Sequence, residues 1–162
     1  MIGFTRRRFC LIAGAAGGLA AAGWPVRVRA GAADRGDVID MVDAAATAID
    51  NRGFPQALPY APKGTWRRPE KGLYVFILGQ DGTLLLHPDK RMEGRNVTRT
   101  RDADGTPFIR EIIAASVRHP KKGMWTTYLW RDAKTGELGT KHTYSRLSAG
   151  LVVAAGYITN DA

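Results

Sequence analysis

The stretch LYVFILGQDGTLLLHP, residues 73–88, holds two apolar runs separated by a turn. In the first run Tyr74, Phe76 and Leu78 alternate with Leu73, Val75 and Ile77. Both faces are therefore apolar, which predicts a central strand over 73–79 with material packed on each side. Gln80-Asp81-Gly82 supplies the positive-φ positions of a hairpin turn. The second run stops at His87-Pro88, because proline has no N–H with which to continue a ladder. An imidazole is thereby expected at the end of a buried strand.

Upstream, Val38, Val42, Ala45 and Ile49 recur at helical spacing with acids on the other side, predicting an amphipathic helix over 34–50 closed by Asn51-Arg52-Gly53. The proline-rich segment from Phe54 to Pro62, followed by 63–71, reads as an irregular connector that wraps the core. Downstream, residues 89–105 are polar without a sustained period and are expected to form an ordered crossover loop. Thr106-Pro107 then opens a second helix with a hydroxyl cap, Phe108, Ile109, Ile112, Ile113 and Val117 give it one apolar stripe, and His119-Pro120 stops it. Met124–Arg131, Leu138–Leu147 and Leu151–Ile158 read as three strands joined by short turns, an antiparallel meander. The expected fold is α+β: a five-stranded antiparallel sheet with an N-terminal helix and a second helix packed on it.

The 162 residues suffice for one domain with a respectable core. The formal charge of +9 overstates the basicity of that domain. Five of the 24 Lys and Arg residues stand in the first 30 positions, which contain no acid, so the charge without them is +4. The remaining bases are scattered among acids, which argues against nucleic-acid binding. Thr5-Arg6-Arg7-Arg8-Phe9-Cys10 and the mildly apolar, Gly/Ala-rich run from Leu11 to Trp24 resemble a bacterial twin-arginine export signal. Val28-Arg29-Ala30 offers the small residues of a signal peptidase cut. The run is too short and too rich in glycine for a membrane span, which needs about 20 apolar residues. Residues 1–30 are therefore expected to be an export signal and 34–162 the domain, located in the periplasm, with no membrane span after signal removal. The one cysteine, Cys10, would leave with the signal.

Beyond residue 36 the pieces Tyr74-Val75-Phe76, Asp81-Gly82, His87-Pro88, Gly94-Arg95-Asn96, Asp102-Ala103-Asp104-Gly105, Tyr128-Leu129-Trp130, Lys141-His142-Thr143-Tyr144 and Gly156-Tyr157 stand in one order. That series resembles the single-Cache domains, extracytoplasmic PAS-like sensor modules. The resemblance implies a small pocket between the sheet and the loop after His87-Pro88, holding a small organic acid. A carboxylate withdrawn from water needs a cation and directed donors, and its short aliphatic part needs apolar walls. Lys141 would supply the charge, Tyr144, Tyr128 and His87 the donors, and Tyr74, Phe76 and Trp130 the walls. In an unbroken strand, however, Lys141 and Tyr144 face opposite sides, so both reach one ligand only across a bulge or from different layers. Gly139-Thr140 also precedes the lysine where many relatives carry a proline.

Each of these residues has a plainer reading: Lys141 a solvated strand lysine, the aromatic residues ordinary β core, His87 a hydrogen-bonded strand end. Three histidines without a close-spaced pair make a poor metal signature, and no haem-attachment, phosphate-binding or nucleophile-elbow motif occurs. Ser116, Ser145 and Ser148 have no neighbouring base. Neither a cofactor, a metal nor an enzymatic activity is expected. Three readings follow: a periplasmic sensor-type domain binding a C2 to C4 carboxylate and signalling through a membrane sensor or other protein partner; an interaction or structural module with an empty pocket; and an accessory factor of an exported redox system.

Overall fold

A computed structural model of the chain describes residues 33–58, 65–132 and 135–160. The expected export signal, residues 1–30, lies outside the described residues. The predicted hairpin is present. Strand β2 (Leu73–Gly79) pairs antiparallel with β3 (Leu84–Leu86) on one side and with the last strand, β6 (Leu151–Thr159), on the other. Its connecting loop is closed by the Gly79 N–H on the Thr83 carbonyl at 2.8 Å and by the Thr83 N–H on Asp81 Oδ1 at 3.0 Å, and Gly82 takes φ 86°. Strands β4 (Met124–Arg131), β5 (Leu138–Ser148) and β6 form the expected meander. The sheet runs β2-β6-β5-β4 with β3 on the outer side of β2.

One strand was not foreseen. Arg67–Arg68, β1, pairs with Leu73 and Tyr74 of β2, which makes the sheet six-stranded. Two arginines before a proline carry no alternation to read. Their pairing comes from the free edge that β2 offers there.

Helix α1 (Arg35–Arg52) begins with a reciprocal cap, the Asp34 carboxylate on the Asp37 N–H and the Asp37 carboxylate on the Asp34 N–H. It ends at Gly53, whose φ of 77° suits a residue without a side chain. A short helix, α2 (Phe54–Ala57), follows in the segment expected to be irregular. Helix α3 (Phe108–Arg118) starts one residue later than expected, with Pro107 rather than Thr106 at its N-cap. The reason is Asp102: its Oδ1 holds the Thr106 N–H at 2.7 Å and its Oδ2 the Leu129 N–H at 3.1 Å, so Thr106 stays with the loop.

Each helix covers one face of the sheet. Val38, Met41, Val42, Ala45 and Ile49 of α1 pack on Leu73, Val75, Ile77, Val153 and Ala155. Phe108, Ile109 and Ile112 of α3 pack on Phe76, Leu78, Tyr128, Val152 and Ala154. The loop from β3 to α3 is ordered as predicted, with the Leu84 N–H on the Arg95 carbonyl and the Val97 N–H on the Gly82 carbonyl, each at 2.9 Å. Among the described residues no helix is long and apolar enough to cross a membrane. A Cβ at Gly82 would meet Thr98 Cγ2 at 2.1 Å, on a backbone that side chains rarely adopt. Gly82→Ala is therefore expected to cost about 1–3 kcal/mol, read as a lowered denaturant midpoint with an unchanged slope.

Candidate functional site

The two-residue period of β5 sorts its polar residues. Lys141, Thr143 and Ser145 are buried, and the residues between them are only partly so. Thr143 bonds Tyr128 and Ser145 bonds Ser116 of α3, so this set faces α3 and the long loop. Arg146 bonds Asp43 and Ser148 bonds the Ala46 carbonyl, so the alternate set faces α1. No bulge interrupts the pairing of β5 with β4 or β6.

Lys141 therefore enters the layer that also holds Tyr74, Phe76, Tyr128 and Trp130. It is 6% exposed. Its Nζ donates to Tyr74 Oη at 3.3 Å and lies 5.1 Å from the centre of the Tyr74 ring and 5.6 Å from that of Trp130, both within cation–π range. Tyr128 stands opposite Lys141 across the β4–β5 ladder, stacks on Phe108 at 4.1 Å and shares a 3.1 Å hydrogen bond with Thr143 Oγ1. His87 meets the Tyr74 ring edge-on at 5.4 Å. Among the described residues no carboxylate lies within 4.0 Å of Lys141 Nζ.

Gly156 explains how Tyr74 on β2 reaches Lys141 on β5 although β6 runs between them. The Val75–Ala155 register directs Tyr74 toward Gly156, and Thr143 pairs with Gly156 on the other side. A Cβ there would lie 2.6 Å from both the His142 carbonyl oxygen and Thr143 Oγ1. The missing side chain leaves the crossing open. Outside it, a cleft of about 580 Å³ is lined by Tyr74, Pro88, Trp130, Asp132, Lys141 and Gly156, among others.

The charges follow from these surroundings. Burial by itself depresses the Lys141 pKa, but Tyr128, Tyr74 and the Asp132 carboxylate outweigh it and hold the group above its ordinary value, so it is an ammonium at neutral pH. Burial lowers the His87 pKa, and the Lys141 charge lowers it further. The ring is therefore neutral at pH 7. Its Nδ1 lies 3.1 Å from the Asp89 nitrogen and 3.4 Å from the Asp89 carbonyl oxygen, and the shorter contact favours the tautomer in which Nδ1 accepts and Nε2 carries the proton. Burial raises the Tyr128 pKa, so that phenol keeps its hydrogen.

Six of the seven residues singled out from sequence thus share one layer: Tyr74, Phe76, His87, Tyr128, Trp130 and Lys141. Tyr144 does not join them. It lies on the α1 face with its ring 5.2 Å from Trp125, because β5 has no bulge that would turn it. Three contributors were not singled out: Thr143, Phe108 and Gly156. Thr143 was legible, standing two residues from Lys141 on the same face. Phe108 reads equally as helix core, and the need for glycine at 156 depends on a register that no local pattern reveals.

Comparison with known proteins bears on this geometry. The family model for single Cache domain 2 matches residues 27–162. The chain belongs to that family. No curated protein matches this Cache chain. Among solved structures it is similar to a Cache chemosensory domain that recognises carboxylic acids, at 19% identity and a TM-score of 0.64, covering 77% of this chain and 92% of that one. It is also similar to a periplasmic sensor domain of a chemotaxis protein (18%, 0.60, covering 77% and 94%) and to a methyl-accepting chemotaxis protein from Vibrio parahaemolyticus (22%, 0.61, covering 78% and 88%). These likenesses place the sheet and helices of this Cache chain in the PAS-like α+β arrangement.

Two outcomes are expected. Lys141→Met, which replaces a buried charge that the fold favours by an apolar chain of similar volume, should leave the protein folded and change its stability in urea unfolding by no more than about 1 kcal/mol. Nitrogen-15 shifts at pH 7.5 should show His87 as the Nε2–H tautomer, with a titration midpoint below 6.5. Since the folded state disfavours the charged ring, the stability due to His87 is full above pH 6.5 and lost as pH falls through the folded-state value.

Proposed function

We propose that this chain is an extracytoplasmic, sensor-type Cache domain that binds a small organic acid of two to four carbons on Lys141 and acts through a partner protein, without catalysing a reaction. The observation that carries this reading is the buried Lys141 ammonium with no carboxylate within 4.0 Å among the described residues. An ammonium carries three N–H donors, and the hydrogen bond to Tyr74 Oη engages only one of them. Tyr74, having accepted that bond, keeps its own hydrogen, and the His87 ring carries another on Nε2. Such a surplus of donors around a charge calls for an anion. The aromatic surfaces of Tyr74 and Trp130 suit the aliphatic remainder of such an acid.

Supporting context comes from the chain's start and its relatives. The export-like first thirty residues fit a periplasmic location, as do the periplasmic sensor domain and the acid-recognising Cache domain among the similar structures. The partner would be a membrane receptor or another signalling protein, since binding alone transmits nothing.

The test is a thermal-shift screen of the full chain with acetate, propionate, pyruvate, lactate and succinate. A ligand at about 100 times its Kd should add about 2.7 kcal/mol, visible as a higher Tm, and Lys141→Met should abolish the rise while melting as a folded protein without ligand. A flat response across the series in the unmodified chain would instead favour an interaction module.

A further inference from the structure

The two edges of the sheet are finished differently. On the β2 side, β1 is a pair of arginines followed by Pro69, and β3 gives way to His87-Pro88, so charge and proline close that edge to further pairing. On the other side β4 is the last strand, and its first half, Met124-Trp125-Thr126-Thr127, carries no charge, proline or bulge. The Leu129 N–H donates to Asp102 Oδ2 at 3.1 Å and the Leu129 carbonyl accepts the Ala103 N–H at 3.4 Å, so both groups of that residue point away from β5. In an unbroken strand the same holds for every second residue, hence for Trp125 and Thr127. Among the described residues nothing receives their outward N–H and carbonyl groups.

Beside this open edge runs a groove of about 380 Å³ between α3 and residues 125–127. Its helix wall is Glu111, Ala114, Ala115 and Arg118, which share one face of α3. The acid and the base stand at opposite ends of that wall, each three positions from the nearer alanine. Neither has an ion-pair partner among the described residues, and Val117, three positions on from Ala114, is left 43% exposed. Such a surface is complementary to itself. A twofold axis through Thr126 pairs Trp125 of each copy with Thr127 of the other, each pair exchanging both of its N–H···O bonds, and the pairing stops at Leu129, whose groups its own loop has taken. The same rotation sets the two α3 helices antiparallel about their alanines, with Glu111 of one copy level with Arg118 of the other.

We infer that this edge is the interface of a symmetric dimer, in which β4 pairs antiparallel with β4 of a second copy, centred on Thr126, and the α3 helices face each other across the axis. The occupant is a second copy because the groove carries one acid and one base at symmetric positions. A rotated copy answers both charges at once, whereas a foreign strand would have to bring its own matching pair. Pairing confined to these residues makes a small, reversible contact, so the dimer builds up with concentration. The inference is independent of what the Lys141 layer binds.

Sedimentation equilibrium of the full chain over the micromolar to millimolar range tests it, with a reductant present so that Cys10 links no copies. A monomer–dimer equilibrium is expected. Glu111→Arg and Arg118→Glu each set like charges across the axis and should raise the dissociation constant about 10-fold. The double variant restores opposite charges and should return the constant to within about 3-fold of its original value. Thr127→Pro removes an outward N–H without touching the ladder to β5 and should also weaken the dimer. Melting curves verify that each variant is folded. A chain that stays monomeric throughout overturns the inference, as does a dimer that both single charge changes leave unaltered or that the double variant fails to restore.

Discussion

The unbroken ladder of β5 is the constraint on which both layers of this domain depend. Its residues pair without a bulge to β4 on one side and β6 on the other, so each side chain is committed to one face by its parity. Arg146 and Ser148 are thereby turned to α1, where Asp43, Asp50 and the Ala46 carbonyl receive them. Lys141 and Thr143 are turned to the opposite layer. A slip of one residue would exchange the two sets, bringing an arginine under α3 and taking the lysine out of its aromatic surroundings. The apolar neighbours on β6, Val152 and Ala154 against Val153 and Ala155, hold the register by burying both faces at once.

Given that commitment, the electrostatics of the site follow. Desolvating an ammonium is costly, and this one is compensated by aromatic rings, phenolic oxygens and the more distant Asp132 carboxylate rather than by a contact ion pair. A charge held in this way is folded but not saturated. The domain has a second arrangement of the same kind that is saturated: Asp37 accepts both Arg68 at 2.8 Å and Lys71 at 2.6 Å, tying the start of α1 to the segment that leads into β2. The contrast is informative. At Asp37 opposite charges are in direct contact, whereas Lys141 donates to a phenol and has no carboxylate within 4.0 Å among the described residues.

Much of this was legible beforehand because it is local. The hairpin at 73–88, the helix over 34–50 and the terminal meander are written in periods of two and 3.6 and in the turn residues between them. The opposition of Lys141 and Tyr144 was also legible, since strand parity needs no partner to be counted, and the structure resolves it by leaving Tyr144 beside Trp125. The start of α3 was not, because Asp102, outside the helix, holds both the N–H and the carbonyl of Thr106, the residue best suited to cap it. Nor was β1, whose two arginines carry no pattern and pair only because β2 has an edge to offer.

The amino-acid sequence by itself determined the α+β class, the order of the elements, and which residues of each strand share a face, since these depend on spacing along the chain. Tertiary structure alone decided that Tyr74 and Lys141, 67 residues apart, meet across a glycine, and that no carboxylate among the described residues meets them. The physical reason is that such a meeting depends on the joint register of β2, β6 and β5. That register is chosen by how the two buried faces pack, a property of the assembled sheet that no single segment contains.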